Sequence, residues 1–192
     1  MIRTFIAVDL PDPIINKVSG IIEYFRTQTP PDLLKWVDPT NIHLTVKFLG
    51  EIPKKNLDSI FAILSETMRN MSAFNLTIRG LGMYPNAQKP RVIWLGVHGI
   101  EPLLKMHTAL DKNLLVASIS PEKRKYSPHL TLARVRRQAE DAKVHAAGKT
   151  LSQFKVDSLG EFTIDTVRLY QSDLTPKGPL YTPLLTVPLN KV

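Results

Sequence analysis

The stretch "NIHLTVKFLG" (residues 41–50) carries the clearest strand pattern of the chain, and "SPHLTLAR" (residues 127–134) repeats its central His-Leu-Thr triplet. Apolar residues occupy alternate positions in the first stretch, as they do in a β-strand with one buried face. This period places His43 and Thr45 on the opposite face, about 7 Å apart along the strand. The sequence therefore predicts two strands that each present an imidazole and a hydroxyl.

Strict alternation divides the side chains of the first strand between two faces. The predicted apolar face carries Ile42, Leu44, Val46 and Phe48, and the other face carries His43, Thr45 and Lys47. In the second strand His129 and Thr131 share a face, and alternation would turn Arg134 away from them. We expect that strand to bend or end before Arg134. For Phe48, packing in the core is the simpler expectation.

This combination of side chains suits general acid–base chemistry on a phosphate. The unperturbed pKa of histidine is about 6.5, so one imidazole can be neutral while another is protonated near neutral pH. A neutral ring can take a proton from water, and a protonated ring can give one to a leaving oxygen. The hydroxyls of Thr45 and Thr131 can donate to phosphate oxygens, and the Arg134 guanidinium can hold the same oxygens.

Composition limits the class of protein. The chain has 192 residues, of which 43% are hydrophobic and 22% charged, which is typical of one globular domain. The net charge of +8 favours anionic partners such as nucleic acid. The absence of cysteine excludes disulfides, thiol catalysis and cysteine-bound metals. The N-terminal segment does not resemble a signal peptide and no stretch is long enough to span a membrane, so we expect a cytoplasmic protein.

The periodicities predict a mixture of helices and strands. Helices are predicted over 13–28, 54–71, 101–117 and 138–150, and strands over 4–10, 41–51, 73–85, 91–97, 129–135, 161–174 and 181–189. Some strands are neighbours in sequence and others alternate with helices. This order favours an α+β fold over a regular doubly wound sheet.

Other chemistries lack their motifs. The sequence contains no H-E-x-x-H metal motif, no G-x-S-x-G elbow and no glycine-rich phosphate loop, so we expect neither a metal nor a cofactor. Three further histidines are expected to have no catalytic role. His107 lies on the apolar stripe of a predicted helix, His98 ends a strand, and His145 lies on a weakly patterned helix.

Together these segments resemble the two-histidine phosphoesterases. The resemblance is strongest to the branch named RNA 2′,3′-cyclic phosphodiesterase, also called the 2′-5′ RNA ligase family. Its two H-x-T-x motifs match "HLTVKFLGE" and "HLTLAR", and supporting matches are "RTFIAVDLP", "KWVDPTNIHLTVKFLGE", "RVIWLGV", "YSPHLTLAR" and "LYQSDLTPKGPLYTPL". The matches follow the family's order over nearly the whole chain.

The resemblance implies a fold and a set of roles. The fold is a single bilobal domain over residues 1–192, with two antiparallel sheets around a central cleft, helices on the outer faces and one motif in each lobe. His43 would be the proton donor to the departing 3′-oxygen, and His129 would be the base that activates water. Thr45, Thr131 and Arg134 match substrate-binding positions, and Phe48 matches a position whose aromatic ring can stack on the terminal base.

The implied reaction is hydrolysis of a 2′,3′-cyclic phosphate at an RNA end to a 2′-phosphate, with ATP-independent 2′-5′ ligation as its reverse. The partner would be RNA that ends in a cyclic phosphate, with tRNA fragments among the candidates, and we expect a monomer. Two alternatives stay open: a non-catalytic protein that binds RNA ends, and a phosphodiesterase that acts on small cyclic nucleotide esters.

Overall fold

The computed structural model describes residues 1–176 and 178–191. In this part of the chain the helices are α1 (Asp12–Thr27), α2 (Leu57–Arg69), α3 (Glu101–Asn113) and α4 (Asp141–Ser152). The strands are β1 (Ile2–Asp9), β2 (Leu34–Trp36), β3 (His43–Ile52), β4 (Phe74–Tyr84), β5 (Val92–His98), β6 (His129–Val135), β7 (Glu161–Ile164), β8 (Thr166–Thr175) and β9 (Gly178–Pro188). Short 3₁₀ turns precede β3 and α2 and follow α3.

The strands form two antiparallel sheets, which confirms the predicted α+β class. The four-stranded sheet has the order β3-β1-β8-β9, and the five-stranded sheet has the order β2-β6-β5-β4-β7. Each sheet contains one of the two His-Leu-Thr strands. β3 lies at the edge of its sheet, whereas β6 lies between β2 and β5. Residues of β3 and β6 approach each other where the two sheets meet.

Helices cover the sheet faces that are turned away from the motif side chains. α3 contacts β3 and α2 contacts β9, so this pair lies behind the four-stranded sheet. Helix α4 contacts β4 of the other sheet. Helix α1 also contacts the side of the five-stranded sheet, because the Lys17 ammonium donates to the Leu159 carbonyl at 2.6 Å. Buried apolar side chains from both sheets belong to one cluster, with Ile6 and Leu44 from one sheet and Leu95 and Leu130 from the other.

The long strand predicted over 161–174 is wrong, because the chain changes sheets at Asp165. β7 pairs with β4 in the five-stranded sheet, and β8 pairs with β1 and β9 in the other. The burial pattern records the break, since Phe162 and Ile164 are buried at even positions and Val167 and Leu169 at odd ones. No pattern in the sequence indicated β2, which has only three residues. The predicted third helix ends as α3 at Asn113 and continues as a 3₁₀ turn over Leu114–Ala117.

Candidate active site

His43 is the first residue of β3, and its two ring nitrogens have different partners. Nδ1 lies 2.9 Å from the carbonyl oxygen of Asn41, and Nε2 lies 3.0 Å from Thr45 Oγ1. A carbonyl only accepts, so Nδ1 carries the hydrogen and donates it. In the neutral ring Nε2 is therefore the acceptor for the Thr45 hydroxyl. The nitrogen available for proton transfer is Nε2.

His129 is the first residue of β6 and repeats this arrangement. Its Nδ1 lies 2.8 Å from the carbonyl oxygen of Ser127, again two residues earlier in the chain. Nδ1 is thus the donor here as well, which leaves Nε2 for other bonds. Each motif fixes the tautomer of its own histidine through the backbone just before the strand.

A β-bulge follows each His-Leu-Thr triplet. Opposite β1, the register of β3 skips one residue at Val46, and opposite β5 the register of β6 skips Leu132. A bulge turns two successive side chains to the same side and reverses the alternation beyond it. Val46 and Lys47 both point into the core, as do Leu132 and Ala133. The side chain after each bulge therefore returns to the face that carries the histidine and threonine, which we call the motif face.

The bulges correct three predictions from strict alternation. Phe48 does not pack in the core but lies on the motif face, with 54% of its surface exposed. Lys47 is not on the polar face but is completely buried. Arg134 lies on the same face as His129 and Thr131, so the expected bend is a bulge at Leu132. The six predicted site residues thus all lie on the motif faces of their strands.

Aromatic side chains surround both histidines, and sequence reasoning missed them. The Phe5 ring stacks on the His43 ring with 4.7 Å between centroids, and Tyr181 meets it edge-on at 5.1 Å. On the other sheet the Tyr84 ring meets the His129 ring edge-on at 5.2 Å. Trp94 stacks on Tyr84 at 4.9 Å. Trp94 lies between buried Ile93 and Leu95 in β5. Strand alternation could therefore have predicted that its ring lies on the opposite face of the sheet, beside His129.

The surroundings of His43 disfavour its charged form. Burial lowers the pKa of His43 below its ordinary value of 6.5, and the hydrogen bond to the Asn41 carbonyl opposes this shift only in part. The carboxylate opposite His43 on β1, Asp9, is already engaged. It forms an ion pair with Arg168, and its two oxygens share the hydrogen of the Tyr170 hydroxyl, which lies 2.7 and 2.9 Å from them. Asp9 therefore does not offset the burial of the ring.

Contacts between the two sheets bring the motif strands together. The hydroxyl of Tyr126, three residues before His129, donates to the Thr45 carbonyl at 2.9 Å. Burial raises the pKa of Tyr181, and the nearby positive charges of Arg3 and Arg134 oppose that shift. Since Tyr181 touches the His43 ring, Arg134 of β6 lies close to the surroundings of His43.

The remaining histidines have partners of their own. His107 is buried, with Nδ1 donating to the Val46 carbonyl at 2.9 Å. His98 and His145 are exposed and lie within hydrogen-bond distance of Arg79 and of the Gln88 carbonyl, respectively. Each of the three rings is thus engaged by a residue outside the two His-Leu-Thr triplets.

Three further observations concern the described residues as a whole. No group of three or more His, Asp or Glu side chains among residues 1–176 and 178–191 is arranged to hold a metal ion. Within the same ranges, no helix has the length and apolar character needed to cross a bilayer. One surface pocket of about 400 Å³ lies between α1 and the segment 154–159, away from both motifs. The candidate site is therefore defined by its side-chain chemistry and not by that pocket.

Comparison with known proteins tests the resemblance. A protein of Methanothermobacter thermautotrophicus named RNA 2′,3′-cyclic phosphodiesterase is 33% identical over 181 residues, which cover 94% of this chain and 95% of the relative. A crystal structure of a Thermus thermophilus protein is 28% identical with a TM-score of 0.78, and the match covers 98% of both chains. A structure of E. coli LigT complexed with 3′-AMP is 25% identical with a TM-score of 0.74, again over 98% of both chains.

The family model agrees with these matches and confirms the resemblance inferred from the two motifs. The model of the 2′-5′ RNA ligase superfamily matches residues 11–176, a range that contains both His-Leu-Thr strands. This chain belongs to the 2′-5′ RNA ligase superfamily.

Proposed function

We propose that this protein hydrolyses the 2′,3′-cyclic phosphate at the end of an RNA and leaves a 2′-phosphate. One observation carries the proposal: two strands each begin with a histidine whose Nδ1 is bonded to the carbonyl two residues earlier, which leaves Nε2 for proton transfer. A matched pair of such rings suits a reaction that needs one acid and one base. The Methanothermobacter relative, which is named RNA 2′,3′-cyclic phosphodiesterase, supports the same activity.

In this proposal His129 is the base and His43 is the acid. His129 Nε2 takes a proton from water, and the water oxygen forms a bond to phosphorus. The bond from phosphorus to the 3′-oxygen breaks, and His43 Nε2 gives its proton to that oxygen. The phosphate stays on the 2′-oxygen, so the product depends on which ester oxygen faces His43. Each positioned group is worth about 10²–10⁴-fold in rate.

Protonation of His43 also prepares Thr45 for phosphate binding. In the neutral ring Nε2 accepts from the Thr45 hydroxyl across 3.0 Å. Once Nε2 carries a proton it is a donor and no longer accepts from the Thr45 hydroxyl. The hydroxyl hydrogen is then available for a non-bridging phosphate oxygen. Thr131 and Arg134 would donate to the same phosphate from β6 and would stabilise the charge that develops on it.

Phe48 provides an exposed aromatic ring on the motif face beside Phe5, with 6.2 Å between the ring centroids. Bases of every type stack on aromatic rings, which contributes about 1–3 kcal/mol per base. We therefore assign Phe48 to the terminal base of the RNA. The complex of E. coli LigT with 3′-AMP is consistent with a nucleotide as ligand of this fold.

No metal or cofactor is required by this scheme. The two imidazoles transfer both protons, and the threonine hydroxyls and the guanidinium stabilise the phosphate charge. The same groups would catalyse ligation without ATP, in which the 5′-hydroxyl of a second RNA replaces water as the nucleophile, the bond from phosphorus to the 3′-oxygen breaks, and a 2′-5′ linkage forms. The partner is RNA with a cyclic phosphate end, with tRNA fragments as one source.

Product analysis tests the proposal. An oligonucleotide with a 2′,3′-cyclic phosphate end is incubated with the protein, with EDTA and without ATP, and the phosphate position is determined. We expect a 2′-phosphate, and we expect His43→Ala and His129→Ala each to lower kcat about 10²–10⁴-fold. A 3′-phosphate product would contradict the proposal, as would full activity of either variant. Binding without turnover would favour a non-catalytic RNA-end binder, and a strong preference for a cyclic mononucleotide would favour a small-ester phosphodiesterase.

A further inference from the structure

The two motif strands satisfy the backbone at their bulges by different means. In β6 the carbonyl of Leu132, the extra residue of the bulge, accepts from the Val37 amide at 2.8 Å. That amide belongs to the segment that follows β2, the neighbour of β6. β3 is an edge strand, and none of the described strands lies on its outer side to provide such a donor. Buried backbone groups need partners, so side chains have to replace the missing strand.

Three side chains bond to the backbone of β3 around its bulge. His107 of α3 donates to the Val46 carbonyl at 2.9 Å, and the Tyr126 hydroxyl donates to the Thr45 carbonyl at 2.9 Å. The amide of Phe48 donates to Glu122 Oε1 at 3.1 Å. Burial raises the pKa of the Tyr126 hydroxyl above its ordinary value, so it remains a donor.

Lys47 adds a buried charge to this region. Its side chain is completely buried and forms an ion pair with Asp111 of α3. Its ammonium also lies 3.4 Å from the Ser120 carbonyl. His107 Nε2 is 3.4 Å from the second carboxylate oxygen of Asp111, and the His107 ring stacks on Tyr126 with 4.3 Å between centroids. Lys47, His107, Asp111 and Tyr126 thus form one connected group, which we call the β3 edge cluster.

The β3 edge cluster lies on a short path between the two motif histidines. Tyr126 holds the carbonyl of Thr45, whose hydroxyl bonds to His43. The residue after Tyr126 is Ser127, whose carbonyl orients His129. One tyrosine therefore connects the backbone that orients His129 with the strand that carries His43.

We propose that the β3 edge cluster is a positioning device for the reaction. It holds the bulge of β3 so that Thr45 and Phe48 face the substrate, and it sets the two histidines relative to each other. None of its four side chains lies on a motif face. This inference rests on the proposed function, but the variants below can be judged with and without turnover.

The first test separates positioning from stability. Replacing both members of a buried ion pair with apolar side chains is often neutral for stability, whereas removing one member is costly. We expect Lys47→Met/Asp111→Leu to retain a Tm close to that of the wild type. We expect its kcat to fall by about 10–100-fold with KM changed less than about threefold, because a displacement of about 1 Å costs this much in rate. A stable double variant with wild-type kcat would overturn the proposal.

The second test is a smaller change, and it tests the positioning role even if the double variant does not fold. Tyr126→Phe removes one hydroxyl and keeps the ring stacked on His107. We expect a fall in kcat of about tenfold, a small fall in Tm because the Thr45 carbonyl loses its donor, and a change in the imidazole NMR signals of His43. Tyr24→Phe is the matched control, since Tyr24 is 49% exposed on α1. This variant should change neither kcat nor the NMR signals of His43.

The NMR signals distinguish failure of this inference from failure of the proposed function. If the wild type does not hydrolyse cyclic phosphate ends, a change of the His43 signals in Tyr126→Phe, absent from Tyr24→Phe, still supports the positioning role. If those signals are unchanged, or if kcat is unchanged in an active protein, Tyr126 does not position the site.

Discussion

His43 and His129 share a backbone arrangement but differ in their surroundings. His43 lies between aromatic rings of the four-stranded sheet, and burial lowers its pKa. A lowered pKa makes imidazolium a better acid, but it also makes that form scarcer in the free enzyme. A bound phosphate anion would raise the pKa of His43 again, because a nearby opposite charge favours the charged form. Substrate binding would thus help to protonate the residue that acts on it.

The pH dependence of the rate follows from this shift. In the proposed mechanism His43 acts when protonated, so kcat/KM should fall as pH rises through the pKa of free His43, which lies below 6.5. The corresponding limb of kcat, which reports the complex, should lie at higher pH. Steady-state kinetics with a cyclic-phosphate oligonucleotide, measured over a range of pH, give the pH dependence of both kcat and kcat/KM. A limb in kcat at lower pH than the limb in kcat/KM would contradict the role assigned to His43.

Phe48 offers a second prediction for a single residue. Because 54% of its surface is exposed, Phe48→Ala should change Tm little. Loss of base stacking should raise KM for the oligonucleotide by about tenfold or more. Leu115→Ala is a control, since Leu115 is 52% exposed and lies outside both motifs. An unchanged KM in Phe48→Ala would show that the ring does not contact the base.

Among the secondary-structure elements, the motif strands could be predicted from the sequence but their bulges could not. Alternation over residues 41–50 was clear, and it placed Phe48 in the core and Lys47 on the surface. Both placements are wrong, because a bulge is defined by the register with the facing strand, here β1 for β3. The departure of Arg134 from the alternation pattern in "HLTLAR" was the one local sign of a bulge. Repetition of the triplet was informative, since it located both histidines and both threonines.

The aromatic layer beside His129 depends on one glycine. A Cβ on Gly82 would lie 2.1 Å from the Trp94 ring, so Gly82→Ala has to displace that ring. We expect lower activity and a lower Tm, because Trp94 stacks on Tyr84, which contacts His129.

Gly20→Ala on α1 is the control for this change. A Cβ on Gly20 meets nothing within 4 Å, and alanine should stabilise the helix by about 0.5–1 kcal/mol. Thermal melts and kcat of the two variants provide the comparison. A Gly82→Ala protein with wild-type kcat and Tm would show that the position of the Trp94 ring is unimportant.

In the molecule as a whole, two similar motifs are embedded in unequal sheets. β6 has strands on both sides, whereas β3 is supported on its outer side by α3 and the segment that leads to β6. The α+β class and the two motif strands followed from the sequence. The sequence did not predict how the outer side of β3 is covered. The pattern around His107 indicates only an apolar helix face, and the pattern around Tyr126 indicates only a charged loop.

The net charge of +8 leads to a prediction about substrates. Exposed basic residues lie beside the second motif, where Arg134 pairs in register with Lys35 of β2. Each RNA phosphate neutralised by the protein releases counterions, so KM for an oligonucleotide should rise steeply with salt. KM for a cyclic mononucleotide should rise less, because it has a single phosphate. Equal salt dependence of the two substrates would show that the protein contacts only the terminal nucleotide.

The proposed reaction requires two imidazoles from opposite sheets to act on one phosphorus atom. A crystal structure with a nucleoside 2′,3′-cyclic vanadate, which imitates the five-coordinate transition state, would show both contacts at once. We predict that Nε2 of His43 and Nε2 of His129 each lie within about 2.6–3.2 Å of an oxygen on the same vanadium atom. A vanadate that contacts one of these nitrogens while the other ring points elsewhere would refute the two-histidine mechanism.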